Sequence, residues 1–397
     1  MEEIKSNIEK EIEKSSGVLR LKPAWVARDF LPPGKRFGLP EEQYNLGVRG
    51  GICERWIGST TKADNKVSVS NEGLSILNID YNRDITLKEA VECAPELIMG
   101  DEYSKTHNGL NRLAKIFDYE ERLPYHIHQM QHHAKLVGCN SKEEAYYFPE
   151  GLPMGKSPET FFGVHPYIVE QKKYDVLLQH LIEWMDDSIL QHARAFKQLP
   201  NDGFHVPSGT LHAPGTALTI ELQEDSDVFA MMQAKCGAKM INKQLLFKDV
   251  RKEDRQALGE KIILEMINWE ISGDPYFYEN RHTPPVLISD SEMANEYWIF
   301  YNTTKFSGKK LVIKPGRKIL SEENGVYNIL VWNGKGEFAG HSIQAGNFYE
   351  DELIITHNAA IRGVEIVNNG NVDLIIYKFF GPDINDDVPF LKKYPSN

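Results

Sequence analysis

Hydrophobic and polar residues alternate in many short segments of this chain, and turn residues separate the segments. Examples are Tyr125–His128, Ala145–Phe148 and Ala217–Gln223, which are rich in β-branched or aromatic residues. This alternation predicts β-strands, because successive side chains of a strand point to opposite faces. The segments form two groups, so the pattern predicts a small antiparallel barrel followed by a second barrel or sandwich.

Three other segments have a helical period. Ile4, Ile8 and Ile12 recur among Glu and Lys residues, which predicts an amphipathic N-terminal helix. Tyr174–His192 and roughly Lys252–Ile271 each carry an aliphatic stripe and predict helices. We expect the first of these two stripes to face a core; it consists of Leu177, Leu178, Leu181, Ile182, Met185 and Ile189.

These elements suggest a four-part division of the chain. Residues 1–19 form the N-terminal helix, and residues 20–237 form the first β-domain. A helical connector occupies residues 238–285, and a second β-domain occupies residues 286–397. The second domain contains His341 and His357 only as isolated imidazoles, so we expect it to hold no metal.

Composition narrows the class of protein. The 397 residues, of which 41% are hydrophobic, suffice for two domains with real cores. The formal net charge of -12 disfavours nucleic acid or an anionic membrane as a partner. No apolar run of about twenty residues predicts a membrane span.

The cysteines bear on the compartment. They are widely spaced and form no C-x-x-C motif, which favours reduced thiols and a cytoplasmic location. They are Cys53, Cys93, Cys139 and Cys236. The oligomeric state stays open.

The candidate chemistry lies in the first β-domain. His126 and His128 form an H-x-H pair, which places both imidazoles on one face of a strand. Glu144 and His212 lie in two later strand-like segments that a barrel would direct to the same interior. Three imidazoles and one carboxylate form an open-sided site that suits Zn, Mn, Fe, Co or Ni, and zinc is the metal we expect.

Four short segments, in order along residues 20–235, resemble the type I phosphomannose isomerases of the cupin superfamily. Gly51-Ile-Cys-Glu-Arg-Trp-Ile-Gly-Ser59 resembles G-x-x-E-S-W-x-x-S, and Arg112–Asp118 leading to His126-Ile-His128 resembles L-L-V-K-x-L-D ending in Q-V-H-P. Lys142-Glu-Glu-Ala-Tyr-Tyr147 is similar to K-T-E-x-W-Y. Pro207-Ser-Gly-Thr-Leu-His-Ala213 is similar to P-A-G-T-x-H-A.

The resemblance implies a mainly β fold of two cupin-type jelly-roll barrels with a helical insertion or connector. The family's Gln, His, Glu and His metal ligands fall on His126, His128, Glu144 and His212, so His126 replaces the Gln. Met231 stands where the family has its catalytic arginine. A methionine cannot stabilise an enediolate or hold an anionic group, so the substrate is expected to differ from mannose 6-phosphate unless Lys142, Lys156 or Lys235 compensates.

The resemblance also implies an aldose-ketose isomerase that acts on a sugar or sugar phosphate. Glu221 matches a family active-site glutamate and shares its strand face with Thr219 and Gln223, so we expect it to move the proton. The alternative for Glu221 is a salt-bridged strand carboxylate. Lys142 matches a family lysine that either binds a hydroxyl or phosphate or screens Glu144.

Two other functions remain open from the sequence. The site could belong to a cupin oxygenase, because three imidazoles and a glutamate accept Fe or Mn. It could also hold a structural metal in a non-catalytic sugar-binding or regulatory protein.

Overall fold

Antiparallel β-sheets dominate the computed structural model, which describes residues 2–67 and 69–395. The strands of the N-terminal part are β1 Val18–Lys22, β2 Ala24–Arg28, β3 Gly51–Ile57, β4 Ile76–Leu77, β5 Leu113–Phe117, β6 His126–Ile127, β7 Glu144–Phe148, β8 Glu159–Val164, β9 Ala193–Lys197, β10 Asp202–Val206, β11 His212–Ala213, β12 Thr219–Gln223, β13 Ala230–Met231, β14 Lys235–Cys236 and β15 Lys239–Met240. Those of the C-terminal part are β16 Val286–Asp290, β17 Ala294–Phe300, β18 Ser307–Ile313, β19 Lys318–Ser321, β20 Tyr327–Asn333, β21 Lys335–Phe338, β22 His341–Gln344, β23 Glu352–Ile355, β24 Val364–Val367 and β25 Leu374–Phe380.

Short helices connect and flank these strands. The α-helices are α1 Glu2–Lys14, α2 Leu87–Cys93, α3 Pro95–Met99, α4 Asp101–Thr106, α5 Gln131–Ala134, α6 Pro166–Glu170, α7 Asp175–Glu183, α8 Lys252–Leu258, α9 Lys261–Glu265, α10 Trp269–Ser272, α11 Phe277–Arg281 and α12 His357–Arg362. Single turns of 3-10 helix lie at Glu41–Tyr44, Gly47–Arg49, Lys135–Val137, Ser188–His192 and Lys243–Phe247. None of the helices in the described part of the chain is both long and apolar enough to cross a membrane.

The N-terminal part is built from two sheets. One has the strand order β10-β7-β12-β5-β3-β2, and the other has the order β13-β6-β11-β8-β9. Their facing sides share a buried aromatic cluster in which Tyr146 of the first sheet stacks on Phe162 of the second. Polar side chains of both sheets enter the same interior, and this interior is where the candidate site lies.

The outer face of the six-stranded sheet packs against the C-terminal part. Ile220 and Leu222 of β12 share a buried cluster with Phe300 and Phe379 of the C-terminal sheet. Residues that alternate with them along β12 therefore point the other way, into the interior between the two N-terminal sheets. This alternation places Glu221 inside.

The C-terminal part also consists of two sheets, with the orders β16-β17-β18-β25-β20-β23-β1-β4 and β19-β24-β21-β22. The N-terminal strand β1 pairs with β23, so Leu19 lies opposite Ile354. Ile8 of α1 is fully buried in the same core. The start of the chain, helix α1 and strand β1, therefore packs with the C-terminal sheet. The four-part division at residues 19, 237 and 285 stays a proposal.

The helix predicted over Tyr174–His192 is shorter than expected. It ends at Glu183, because Trp184 adopts a left-handed conformation with φ 51° and donates its indole N–H to the Ile241 carbonyl, 2.8 Å away. Anchoring the indole on a neighbouring segment turns the chain before the predicted stripe is complete. The expectation of a continuous core stripe was therefore wrong for Ile182 and Met185, whose side chains are 55% and 68% exposed.

The helix predicted over Lys252–Ile271 is divided into three. Gly259, with φ +57°, ends α8, and the Asn268 side chain caps α10 by accepting a hydrogen bond from the Ile271 N–H. The apolar residues after the break are buried in one core, but Leu258 before the break is 38% exposed. The sequence pattern identified the buried face and missed the turn that divides it.

Candidate metal centre and the adjoining pocket

Three imidazoles meet inside the N-terminal part. His212 of β11 lies directly opposite His126 of β6, and His128 follows β6 by one residue. One ring nitrogen from each of them lies within 4.8 Å of the others, and all three side chains are buried. The H-x-H pair and the third histidine thus converge although they are more than eighty residues apart.

Backbone carbonyls fix the orientation of each ring. The Nδ1 atoms of His126, His128 and His212 donate to the carbonyls of Pro124, Val228 and Thr210 at 2.6, 2.7 and 2.8 Å. A proton on Nδ1 leaves the Nε2 lone pair of each imidazole available as a metal ligand. The three rings are therefore held in the tautomer that coordination needs.

Glu144 supplies the carboxylate from the opposite sheet. Its two oxygens lie 3.0 Å from His128 Nε2 and 3.0 Å from His212 Nε2, and its carboxylate also accepts a hydrogen bond from the Tyr146 hydroxyl. His212 Nε2 is buried without a hydrogen-bond donor in the described part of the protein, and it faces a carboxylate oxygen of Glu144 across 3.0 Å. Buried polar atoms of this kind call for a ligand, and a divalent cation satisfies both.

The charge states of the cluster also fit a cation. Burial lowers the pKa of His128 to about 3 and lowers that of His126 well below its usual range, so both rings are neutral. Burial opposes ionisation of Glu144, but the ammonium of Lys142 is the largest opposing influence, and the pKa of this carboxyl is held well below normal. Neutral imidazoles with one carboxylate suit borderline divalent metals. The residues present therefore fit a single divalent ion.

A pocket adjoins this cluster, and Glu221 lies on its wall. Glu221 is directly opposite Lys115 of β5 in the strand register, and its carboxylate lies 3.3 Å from the ammonium groups of Lys115 and Lys142. Lys142 also lies 3.0 Å from Glu144 and from His128 Nε2. The two lysines thus link the imidazole cluster to the glutamate that the sequence singled out.

Burial dominates the electrostatics of Glu221. It raises the pKa of this carboxyl to about 8, although Lys115 and Lys142 act in the opposite direction. For Lys142 the balance is reversed, because Glu144 and Glu221 together outweigh burial and raise its pKa. A carboxyl group with a pKa near neutrality is suited to accept a proton and return it.

The remaining pocket walls are aromatic and ionic. The pocket is lined by Arg28, Phe30, Glu54, Lys115, Phe117, Tyr119, Leu123, His126, His128, Lys142, Glu144, Tyr146, Glu221, Asp227, Phe229 and Met231. Met231 pairs with His126 in the strand register, so its thioether lies beside the imidazole cluster. The imidazole cluster, the Glu221 carboxylate with its two lysines, and Met231 therefore line the same concave pocket.

Several other residues considered from the sequence lie outside the pocket. His132 is exposed, and its ring lies 4.0 Å from that of His133 at a tilted angle of 43°. Lys156 is exposed and pairs with Glu120 at 2.6 Å. Lys235 lies in β14 and does not line the pocket. Of the lysines proposed to compensate for Met231, the structure therefore brings only Lys142 to the site.

Two cationic pocket residues were missed. Lys115 alternates with Ala114 and Ile116 in a segment already noted for its family resemblance, so strand period was an available signal. Arg28 gave no comparable signal, because it enters the pocket from β2, about a hundred residues before the H-x-H pair. Its position depends on long-range strand pairing.

Comparison with known proteins identifies the fold. No protein-family model matches the chain, and no curated protein matches it by sequence. Among solved structures, the chain is similar to the mannose 6-phosphate isomerase of Bacillus subtilis, with 16% identity, a TM-score of 0.57, and coverage of 91% of this chain and 99% of that one. It is also similar to a variant of the phosphomannose isomerase of Salmonella typhimurium, with 11% identity, a TM-score of 0.60, and coverage of 92% and 100%. The protein therefore has the β-rich, cupin-like fold of the type I phosphomannose isomerases, as the motifs predicted.

Proposed function

We propose that the protein is a metal-dependent aldose-ketose isomerase of the mannose 6-phosphate isomerase type, acting on a sugar or sugar phosphate by proton transfer between C1 and C2. The observation that carries this proposal is the placement of buried Glu221, between two ammonium groups, in the pocket that adjoins the three imidazoles and Glu144. The names of the similar solved structures support the same activity.

His126, His128, Glu144 and His212 would hold the metal, and zinc is our proposed ion. When bound there, a divalent metal supplies Lewis acidity, which makes the hydrogens next to a sugar carbonyl easier to remove. The backbone carbonyls that accept from the three Nδ1–H groups keep the imidazoles from turning away.

Glu221 is our proposed proton-transfer residue. Its carboxylate is fixed by β12, and burial shields it from water that would otherwise exchange with the proton in transit. Lys115 and Lys142 each contact it, so loss of a proton from Glu221 creates no uncompensated buried charge. Lys142 additionally reaches the metal-binding carboxylate and is placed to hydrogen-bond a sugar hydroxyl.

The pocket is narrow. Its cavity volume is about 50 Å³, which accommodates a few water molecules and is well below the roughly 300 Å³ typical of a small-molecule site. A sugar therefore requires movement of the side chains at the mouth, and Phe30 and Leu123 are the apolar ones that are half-buried there. A closed pocket of this kind excludes water while the proton moves.

A cupin oxygenase is the second candidate, because the same four ligands accept Fe or Mn and the narrow cavity has room for a diatomic gas. A non-catalytic sugar-binding protein is the third. We also propose a cytoplasmic location, which the four unpaired cysteines support.

Metal analysis coupled to a sugar panel and an oxygen electrode separates the three candidates. The isomerase proposal predicts about one equivalent of a redox-silent metal such as zinc, with conversion of at least one aldose to its ketose. Bound iron or manganese with oxygen uptake would favour the oxygenase. Tightly bound metal with no turnover on any sugar would favour the binding protein.

A further inference from the structure

We infer that the ligand of this pocket is an unphosphorylated sugar or polyol, and this inference rests on the proposed function of the same pocket. The inference is based on how the charged side chains that line the pocket are paired with one another. Among the lining residues there are three cationic side chains, Arg28, Lys115 and Lys142, and four carboxylates, Glu54, Glu144, Glu221 and Asp227. A phosphate dianion needs cationic donors that are free to turn towards it, so the question is whether any of the three is free.

Arg28 is fully engaged by carboxylates and an amide. Its Nε and one Nη donate to the two oxygens of Glu54 at 2.9 and 3.2 Å, and both Nη atoms reach Asp227 at 3.3 to 3.4 Å. One Nη also donates to Asn65 at 3.0 Å. The guanidinium is buried between these groups, so it has no edge left for a phosphate.

The two lysines are also paired with buried acceptors, Lys142 with three polar atoms and Lys115 with one. Lys115 contacts Glu221, and Lys142 contacts both Glu221 and Glu144. A phosphate bound at either ammonium would bring a second anion next to a buried carboxylate that this ammonium already compensates, and such like charges repel strongly in a buried site. A hydroxyl group, in contrast, can accept from a lysine and donate to a carboxylate without breaking the pair.

In the described part of the chain, the mouth of the pocket offers no free cation to an anion. The lining residues that reach solvent are Phe30, Leu123 and Asp227, two apolar groups and one acid. If C1 and C2 of a hexose lie at Glu221 beside the imidazole cluster, its C6 end points away from them, and a phosphate on C6 would be directed towards this mouth. A divalent metal would add positive charge only among the imidazoles, so the charge of the residues at the mouth would stay the same.

Lys248, a cation that packs against the pocket residue Phe229, does not provide a free charge either. Lys248 packs over the Phe229 ring at 4.4 Å, but its ammonium is held by Asp64 at 2.8 Å, Asp249 at 3.3 Å and the Asp227 carbonyl at 3.1 Å. Met231, on the pocket wall, adds an apolar surface where a cation would be needed. The combination of aromatic rings, carboxylates and engaged amines suits the C–H faces and hydroxyls of a neutral sugar.

The test compares matched ligands with and without phosphate on the zinc-loaded wild-type protein. Titration calorimetry with mannitol and glucitol, against mannitol 1-phosphate, glucitol 6-phosphate and inorganic phosphate, measures binding independently of turnover. Turnover is then measured with mannose, glucose and fructose and with their 6-phosphates. We expect at least about tenfold tighter binding of the free polyols and a similar preference in kcat/KM for the free sugars.

The outcomes separate this inference from the proposed function. Equal or tighter binding of the phosphorylated polyols, with turnover of sugar phosphates, overturns the inference and leaves the isomerase intact. Binding of a free polyol without turnover of any sugar supports the inference on ligand class and overturns the isomerase. No binding and no turnover of either class overturns both.

Met231→Arg provides a second measurement, with Met231→Leu as the size-matched neutral control. The arginine should shift the preference towards phosphorylated ligands by about tenfold or more, since a desolvated cation has then been added to the wall. The leucine should leave the preference unchanged. If Met231→Arg folds and binds zinc but gains nothing for phosphorylated ligands, the pocket is closed to phosphate for a reason other than charge, and the charge argument is wrong.

Discussion

Glu221 lies directly opposite Lys115 in the pairing of β12 with β5, with the ammonium 3.3 Å from the carboxylate. Lys142 approaches the same carboxylate at 3.3 Å from β7's side of the pocket. Both lysines are buried, so moving either one away would remove charge compensation from the buried glutamate. Glu221 is thereby fixed in one position beside the imidazole cluster, which is what a proton-transfer group requires.

Glu221→Gln should abolish turnover while the fold and the metal content survive. The amide keeps the volume and most of the hydrogen bonding but cannot accept the proton, so the rate should fall by about a hundredfold or more. Activity is measured on whichever sugar the wild type converts, with metal content and circular dichroism alongside. Glu183→Gln, an exposed change at the end of α7, is the control and should have no effect. Wild-type turnover in Glu221→Gln would return this residue to a structural role.

Lys115→Met should lower turnover by about tenfold or more, because Glu221 then loses one of the two charges that compensate its ionised form. Lys115→Arg should retain more of the activity, since it keeps the charge. Both variants are compared for kcat and KM separately, and we expect the loss in kcat. A loss confined to KM, equal in both variants, would mean that Lys115 only shapes the pocket.

His128→Ala and His212→Ala should each lose most of the bound metal. Each change removes one of the four proposed ligands. The imidazole that is lost is one that a backbone carbonyl holds in the coordinating tautomer. Metal is counted by elemental analysis after dialysis against a mild chelator. The control is His132→Ala, an exposed imidazole outside the cluster, which should keep its full equivalent. One full equivalent in both ligand variants would show that the metal binds elsewhere.

Glu352 predicts a pH dependence of stability at the contact between the two parts of the chain. Its buried carboxyl accepts from the Gly58 N–H at 2.7 Å and from Arg55 at 3.0 Å, yet burial outweighs both and raises its pKa to about 7. Between its unfolded pKa of about 4.5 and the folded value, the folded state binds more protons, so the free energy of unfolding falls as pH rises across this range. The loss is of order 3 kcal/mol at most.

The Glu352→Gln variant should lack this pH-dependent contribution to the free energy of unfolding. The difference in unfolding free energy between wild type and variant, measured by urea denaturation of the chelator-treated proteins at pH 4.5 to 7.5, should therefore change with pH. The wild type should lose stability relative to the variant as the pH rises. A difference that is constant over this range would show that Glu352 is already ionised in the folded state.

Much of the imidazole cluster was predictable from sequence, because strand period is a local property. It places His126 and His128 on one face and separates Glu221 from Ile220 and Leu222, and the structure shows both arrangements. The mainly β, cupin-like fold followed from the same alternation and from four short motifs.

What could not be predicted depends on distant partners. Helix α7 stops at Trp184 because a carbonyl at Ile241 holds its indole, and no pattern within the helix records that contact. Strand β1 joins the C-terminal sheet through β23, more than three hundred residues away. Arg28 reaches the pocket because β2 lies at the edge of the sheet that also carries Glu221. Each of these results from tertiary pairing that overrides local preference.

The central claim is that Glu221 moves a proton between neighbouring carbons of a sugar in this pocket. The most direct test is proton NMR in heavy water, following the C2 hydrogen of an aldose with zinc-loaded wild type and with zinc-loaded Glu221→Gln. The account predicts that the wild type replaces the C2 hydrogen with deuterium or converts the aldose to its ketose, and that Glu221→Gln does neither at a comparable rate. Retention of the C2 hydrogen by every aldose tested with the metal-loaded wild type, or equal exchange by Glu221→Gln, would contradict it.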